Sequence, residues 1–119
     1  APGDIGYDIF HGTSTVLNDA VESRCVRQVL GSAADNVPGS SIKSMIGHPQ
    51  GASGAAGIVA SALALSEGTL PPTINLQNED PQCNLDYVAN EARRASADFA
   101  LCNCLGFGSK NSAIVLGRA

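Results

Sequence analysis

Apolar side chains fall in short runs separated by glycine, proline and serine, and the spacing within each run predicts its conformation. Residues 5–10, Ile-Gly-Tyr-Asp-Ile-Phe, read as a short buried strand after a turn at Ala1-Pro2-Gly3-Asp4. Asn18 or Asp19 can cap a helix running to about Leu30. Val21, Cys25 and Val29 then share one stripe, while Glu22, Arg24 and Arg27 can face water. Gly31 ends that helix, residues 32–40 form a loop, and residues 41–46 read as a second strand. Residues 51–66 carry no charge on any side. A helix that is polar nowhere is expected to be almost fully buried, and its small residues permit close neighbours. Gly68 stops it, and residues 71–82, with three prolines, form an extended loop. A short strand is expected at residues 86–88. Residues 99–105 and 112–116 then make a hairpin through Gly106-Phe107-Gly108. Strand, helix, strand, helix and hairpin together imply an α/β architecture: a mixed sheet with a buried helix.

Composition narrows the possibilities. A chain of 119 residues suits a single domain over residues 1–119. With 44% hydrophobic residues, 4% aromatics and 13 glycines, its core should consist of small aliphatic side chains in close helix–sheet packing. The net charge of −4 and the lack of a basic block argue against nucleic acid as a partner. The uncharged stretch at 51–66 falls short of the ~20 residues that span a bilayer. No basic lead and apolar run begins the chain, so a cytoplasmic, membrane-free protein is expected. Cys102 and Cys104 would share one face of a strand. A metal pair there is conceivable, but no CxxC spacing or matching histidine supports it. The four cysteines read instead as small buried hydrophobes, and no metal is expected.

His11 and His48 are the only histidines. Each follows a segment read as a strand and is flanked by glycine, where another chain or a ligand can approach the backbone. Lys43 lies five residues before His48. Two such histidines and a lysine make a better candidate site than an isolated histidine, which usually serves structure.

The surrounding motifs carry a resemblance. His11-Gly12-Thr13-Ser14-Thr15, Lys43-Ser44-Met45-Ile46-Gly47-His48, Leu70-Pro71-Pro72-Thr73-Ile74-Asn75-Leu76, Asn90-Glu91-Ala92-Arg93-Arg94 and Gly106-Phe107-Gly108 occur in one order. That order and spacing resemble the C-terminal part of a β-ketoacyl-acyl-carrier-protein synthase, closest to the type II condensing enzymes, over nearly the whole chain. The resemblance implies the C-terminal half of a thiolase-like fold. It also implies an acyltransferase reaction, the decarboxylative Claisen condensation of malonyl-ACP with an acyl thioester in fatty-acid or polyketide biosynthesis. By resemblance, His11 and His48 donate N–H bonds to the developing oxyanion and Lys43 tunes the local charge. Thr13 and Thr15 would bind the pantetheine amides, with strand-end capping as the alternative. Phe107 would gate the nucleophile, or else simply fill a turn. No cofactor of its own is implied, since the substrate arrives on the phosphopantetheine of an acyl carrier protein. The implied partners are that carrier protein and an N-terminal ketosynthase half or companion chain, in a homodimer or heterodimer.

The chain also departs from the family pattern. Asn-Ala-His becomes Ile9-Phe10-His11, placing bulk beside the site. The turn after the last long strand loses a glycine and a threonine in Leu105-Gly106-Phe107-Gly108-Ser109-Lys110-Asn111. Nine residues after His48, where type II fatty-acid enzymes carry a glutamate that pairs with the lysine, this chain has Gly57. These departures point toward a specialised polyketide or polyene enzyme. None of Cys25, Cys83, Cys102 or Cys104 sits in the family's Ala-Cys-Ala-like elbow, so the acyl-enzyme cannot form on this chain alone. A chain-length-factor-like partner and an assembly module are the alternatives, and retention of both histidines argues against the former.

Overall fold

The strand leading to His11 lies at the centre of the sheet. In the computed structural model, which describes residues 1–119, β1 (Ile5–Ile9) is followed by α1 (Val16–Leu30), β2 (Pro38–Ser40) and the single helical turn α2 (Lys43–Ile46). Then come α3 (Ser53–Glu67), β3 (Thr69–Leu70), β4 (Asp86–Tyr87), β5 (Arg93–Arg94), β6 (Phe99–Cys104) and β7 (Ser112–Gly117). Five strands form one sheet in the order β4-β2-β1-β6-β7; the first four are parallel neighbours, and β7 returns antiparallel on β6. The expected mixed α/β sheet with a C-terminal hairpin is therefore present. A second, two-stranded ribbon of β3 and β5 was not legible, because two-residue strands carry no periodicity.

Alternation along β1 assigns the two faces. Tyr7 and Ile9 join Ala64, Leu65, Leu70, Val88, Ala100 and Cys102 in a core beneath α3. Phe10 turns to the other face and packs with Val26, Leu30, Ala34 and Val37 beneath α1. The small side chains of α3 allow close contact: a Cβ on Gly57 would stand 2.7 Å from Cys102 Sγ and 3.3 Å from Ile9 Cγ2.

Three expectations are corrected. The cap of α1 is Thr15, whose hydroxyl accepts from the Asn18 N–H at 3.4 Å, rather than Asn18 or Asp19. The stripe of α1 is rotated as well: Glu22, Ser23, Val26 and Leu30 are buried, whereas Val21, Cys25 and Val29 are exposed. Polar partners under the helix outweighed hydrophobicity there, as the site shows below. Residues 41–46 are not a strand. The second strand ends at Ser40 and the chain turns through α2, so His48 follows a helical turn.

The expectation for α3 also fails in part. Ser53, Gly57, Ser61, Ala64 and Leu65 are buried, but Val59 and Leu63 on the far side are 59% and 52% exposed. The single sheet offers an apolar wall to one side only. No helix is long and apolar enough to cross a membrane.

Candidate functional site

Both histidine segments leave the same end of the sheet. The Phe10 N–H still donates to the Ser40 carbonyl at 2.9 Å; beyond that point β1 continues into residues 11–15 and β2 into Ser41 and α2. The two segments then cross closely. Ser41 Oγ donates to the Gly12 carbonyl at 2.8 Å, and a Cβ on Gly12, at φ +41°, would stand 2.5 Å from Ser41 Cβ. Only glycine fits this crossing. It brings the two imidazoles edge to face, with ring centroids 5.3 Å apart and planes at 81°.

His11 is buried at 6% exposure and is gripped through its backbone. The Glu22 carboxylate accepts the His11 N–H at 2.7 Å on one oxygen and the Gly12 N–H at 2.8 Å on the other. Asn18 Nδ2 donates to the second oxygen at 3.1 Å. Burial raises the Glu22 pKa, opposed by these donors. The sequence reading had turned Glu22 to water; its signal was a carboxylate four residues beyond Asn18, within reach of the loop before the helix. The imidazole of His11 is held neutral. Burial, then the Lys43 charge and His48, bring its pKa down to about 4. Its Nδ1 is buried without a hydrogen-bond partner.

His48 is exposed and is held by its ring instead. Nδ1 accepts the Gln50 N–H at 3.1 Å and lies 3.2 Å from Ser53 Oγ. Gln50 has φ +48°, a conformation costing on the order of 1–2 kcal/mol for a residue with a side chain. That turn aims its amide at the ring. With Nδ1 accepting, the imidazole proton sits on Nε2, which is left as a donor.

Lys43 opens α2, and burial lowers its pKa against the attraction of Cys104, Glu22 and Cys102. Gly57 offers it no carboxylate, and a Cβ at that position would press on Cys102 Sγ and Ile9 Cγ2. Lys43, His48, Thr13 and Thr15 line one cleft of about 670 Å³, walled opposite by Thr73, Ile74 and the loop beyond them. Thr73 Oγ1 accepts the Ser41 N–H at 3.0 Å, and Ser44 Oγ accepts the Ile74 N–H at 2.9 Å, tying that wall to the histidine segment. The Thr13 and Thr15 hydroxyls are 2.9 Å apart, and Thr15 also caps α1. Phe107 does not join this group: it is fully exposed on the β6–β7 turn and does not line the cleft.

A second buried carboxyl escaped the sequence reading. Asp8 is fully buried on β1; Asn103 Nδ2 donates to its Oδ1 at 3.1 Å, and its Oδ2 has no partner. Burial, with Glu22 nearby, raises its pKa well above the usual carboxylate range. Inside a run as apolar as residues 5–10 nothing marked Asp8 as polar core rather than turn residue. All four cysteines are free, and no three His, Cys, Asp or Glu side chains converge so as to hold a metal ion.

Comparison with known proteins fits this geometry. Residues 1–77 match the family described as beta-ketoacyl synthase, C-terminal domain. The chain is 48% identical to the 3-oxoacyl-[acyl-carrier-protein] synthase 2 of Synechocystis sp. over 92% of its length and 26% of that protein. It is 47% identical to the tetracenomycin polyketide synthase ketoacyl synthase alpha subunit of Streptomyces glaucescens, over 97% of its length and 27% of the relative. It thus spans about a quarter of the length of these curated relatives. A solved type II polyketide ketosynthase, in complex with its acyl-carrier protein, superposes with a TM-score of 0.97 at 38% identity, covering 100% of this chain and 29% of that one. On the ordered motifs, the sheet that carries them and the family match over residues 1–77, this chain belongs to the β-ketoacyl synthase family and carries its C-terminal domain.

Proposed function

We propose that the chain supplies the C-terminal catalytic portion of a 3-oxoacyl-ACP synthase, which condenses malonyl-ACP with an acyl thioester in fatty-acid or polyketide synthesis. The observation that carries this reading is the pair of imidazoles 5.3 Å apart: His48 lines the cleft with Lys43, Thr13 and Thr15, and His11 packs edge-on behind it. Loss of CO₂ from the malonyl thioester leaves an enolate, whose carbon attacks the acyl carbonyl while the acyl-bearing thiolate departs. The charge that develops on the malonyl thioester oxygen is what two N–H donors can stabilise. His48 offers Nε2–H, and His11, kept neutral at working pH, offers its own N–H. Burial holds His11 in that form, and the Lys43 charge adds to it. Thr13 and Thr15 stand where a pantetheine arm entering the cleft would meet hydroxyls. Phe107, exposed between Gly106 and Gly108, would act as a gate only beside a nucleophile supplied by another part of the protein.

None of the four cysteines here is placed as the acyl carrier, so the nucleophile must come from an N-terminal ketosynthase portion or a companion chain. Dimeric assembly and a cytoplasmic setting accord with this reading, and the acyl carrier protein is the natural partner. The enzyme would need no cofactor of its own, because phosphopantetheine arrives with the substrate.

The 119-residue chain alone is expected neither to be acylated by acyl-ACP nor to condense malonyl-ACP. In the complete synthase, His48→Ala should slow condensation by roughly 100-fold or more, the scale for losing one oxyanion donor. Decarboxylation should suffer more than acyl transfer. Near-stoichiometric acylation of a cysteine in this chain would move the nucleophile here. Unchanged turnover in His48→Ala would favour the chain-length-factor-like alternative.

A further inference from the structure

His48 is held by two groups, and one of them is a side chain to which no role has yet been given. Ser53 is the first residue of α3 and is 7% exposed; the only hydrogen-bond partner of its hydroxyl is Nδ1 of His48, at 3.2 Å. A serine at the start of a helix commonly caps it, but the cap here is Ala52 and no side chain makes the capping bond. A buried hydroxyl needs a partner, and this one finds the imidazole.

We propose that Ser53 is a positioning residue: its hydroxyl donates to Nδ1 of His48 and, together with the Gln50 N–H, fixes the ring so that Nε2–H points into the cleft. This rests on the condensing role proposed for His48 above. The direction of the bond follows from the other donor. A backbone N–H can only donate, so Nδ1 must keep its lone pair while the Gln50 bond persists, and the hydroxyl in turn must donate to it. The second bond adds what the first cannot. A single bond fixes the tautomer but lets the ring rock about the bond axis. A second donor from a different element removes that freedom. Gln50 comes from the strained turn and Ser53 from the helix, so the ring is referenced to both. An oxyanion donor gains from such prior ordering, because the cost of aligning it is met during folding.

The test is a comparison of Ser53→Ala and Ser53→Thr in the full-length protein, with ¹⁵N-labelled histidine. Alanine is the best helix former, so the first substitution leaves α3 intact. In Ser53→Ala the His48 Nδ1 resonance should move downfield, toward the value of a less hydrogen-bonded acceptor, and in Ser53→Thr it should return. The condensation kcat should fall roughly three- to tenfold in Ser53→Ala, the rate equivalent of one neutral hydrogen bond, with KM for the carrier-bound substrates unchanged and rate recovery in Ser53→Thr. An unmoved Nδ1 resonance in Ser53→Ala would overturn the proposal. So would a moved resonance with unchanged kcat in a protein that His48→Ala does cripple. If His48→Ala turns over normally, the condensing role itself falls, and the resonance alone then decides whether Ser53 holds the ring.

Discussion

His11 and His48 meet edge to face, yet the fold secures them in opposite ways. His11 is buried and held by its backbone, through a carboxylate that takes two consecutive N–H groups, while its ring nitrogen Nδ1 has no partner. His48 is exposed and held by its ring, through an amide and a hydroxyl. The first arrangement fixes where the ring begins and lets burial choose its protonation state. The second leaves the segment on the surface and dictates the ring's orientation. A pair of donors converging on one oxygen needs both position and direction, and here the two residues are supplied with them from different sources.

Breaking the backbone grip should have the largest effect. Glu22→Ala leaves the His11 and Gly12 N–H groups without acceptors, and buried unsatisfied donors cost ~1–3 kcal/mol each. We expect a loss of about 3 kcal/mol in urea unfolding. Ser53→Ala, which touches only a ring, should scarcely change that curve.

Acid should separate the two sites next. The His11 pKa is lowered from 6.5 to about 4, so as pH falls the unfolded chain takes up the proton first. Stability from this group is complete above about pH 6.5, drains away between about 6.5 and about 4, and falls no further below that. The stability difference between the wild type and His11→Asn, followed by denaturant titration, should change across that window and be flat outside it.

The sequence made the site's chemistry more legible than its supports. His11, His48, Lys43, Thr13 and Thr15 announce themselves by residue type and spacing, and the structure brings all five together. Glu22 and Asp8 did not, because a buried carboxylate looks like any other carboxylate until its partners are known. Glu22 sits in a helix whose sequence offers Val21, Cys25 and Val29 as the more apolar stripe, yet backbone donors from the preceding loop turn the carboxylate inward. The second strand was misplaced because Pro38-Gly39-Ser40 has no strand-like composition. It pairs with β1 through its backbone, in a gap where a Cβ on Gly39 would stand 2.3 Å from the Phe10 ring. The hairpin and the uncharged helix were legible since each follows from a long local pattern. The exposure of the outer face of that helix was not, since an uncharged sequence does not show that only one side has a wall to pack on.

A smaller effect sharpens the comparison from the carboxyl side. The pKa of Asp8 is raised by burial, so its contribution to stability is greatest at low pH and is lost as pH climbs above 3.8, the unfolded value. Asp8→Asn should therefore raise the melting temperature by a few degrees at pH 8 and change it little at pH 3, provided the Asn103 bond is kept. Equal shifts at both pH values would contradict a neutral Asp8. The smallest expected effect is electrostatic. Lys43→Met should move the His11 pKa upward from about 4 in an NMR titration, without reaching 6.5, because burial is the larger cause and remains.

The contact of Gly57 with Cys102 and Ile9 also constrains how this sequence can change. A glutamate at 57 would require Cys102 to shift, since its sulfur stands 2.7 Å from the new Cβ, and Ile9 to give way from 3.3 Å. Trimming either neighbour while Gly57 remains would open a void between α3 and the strands β1 and β6. The three positions thus share one volume. A side chain at 57 therefore goes together with a shifted or smaller side chain at 102 or 9. Volume at 102 and 9 sets the terms on which any side chain at 57 is admitted.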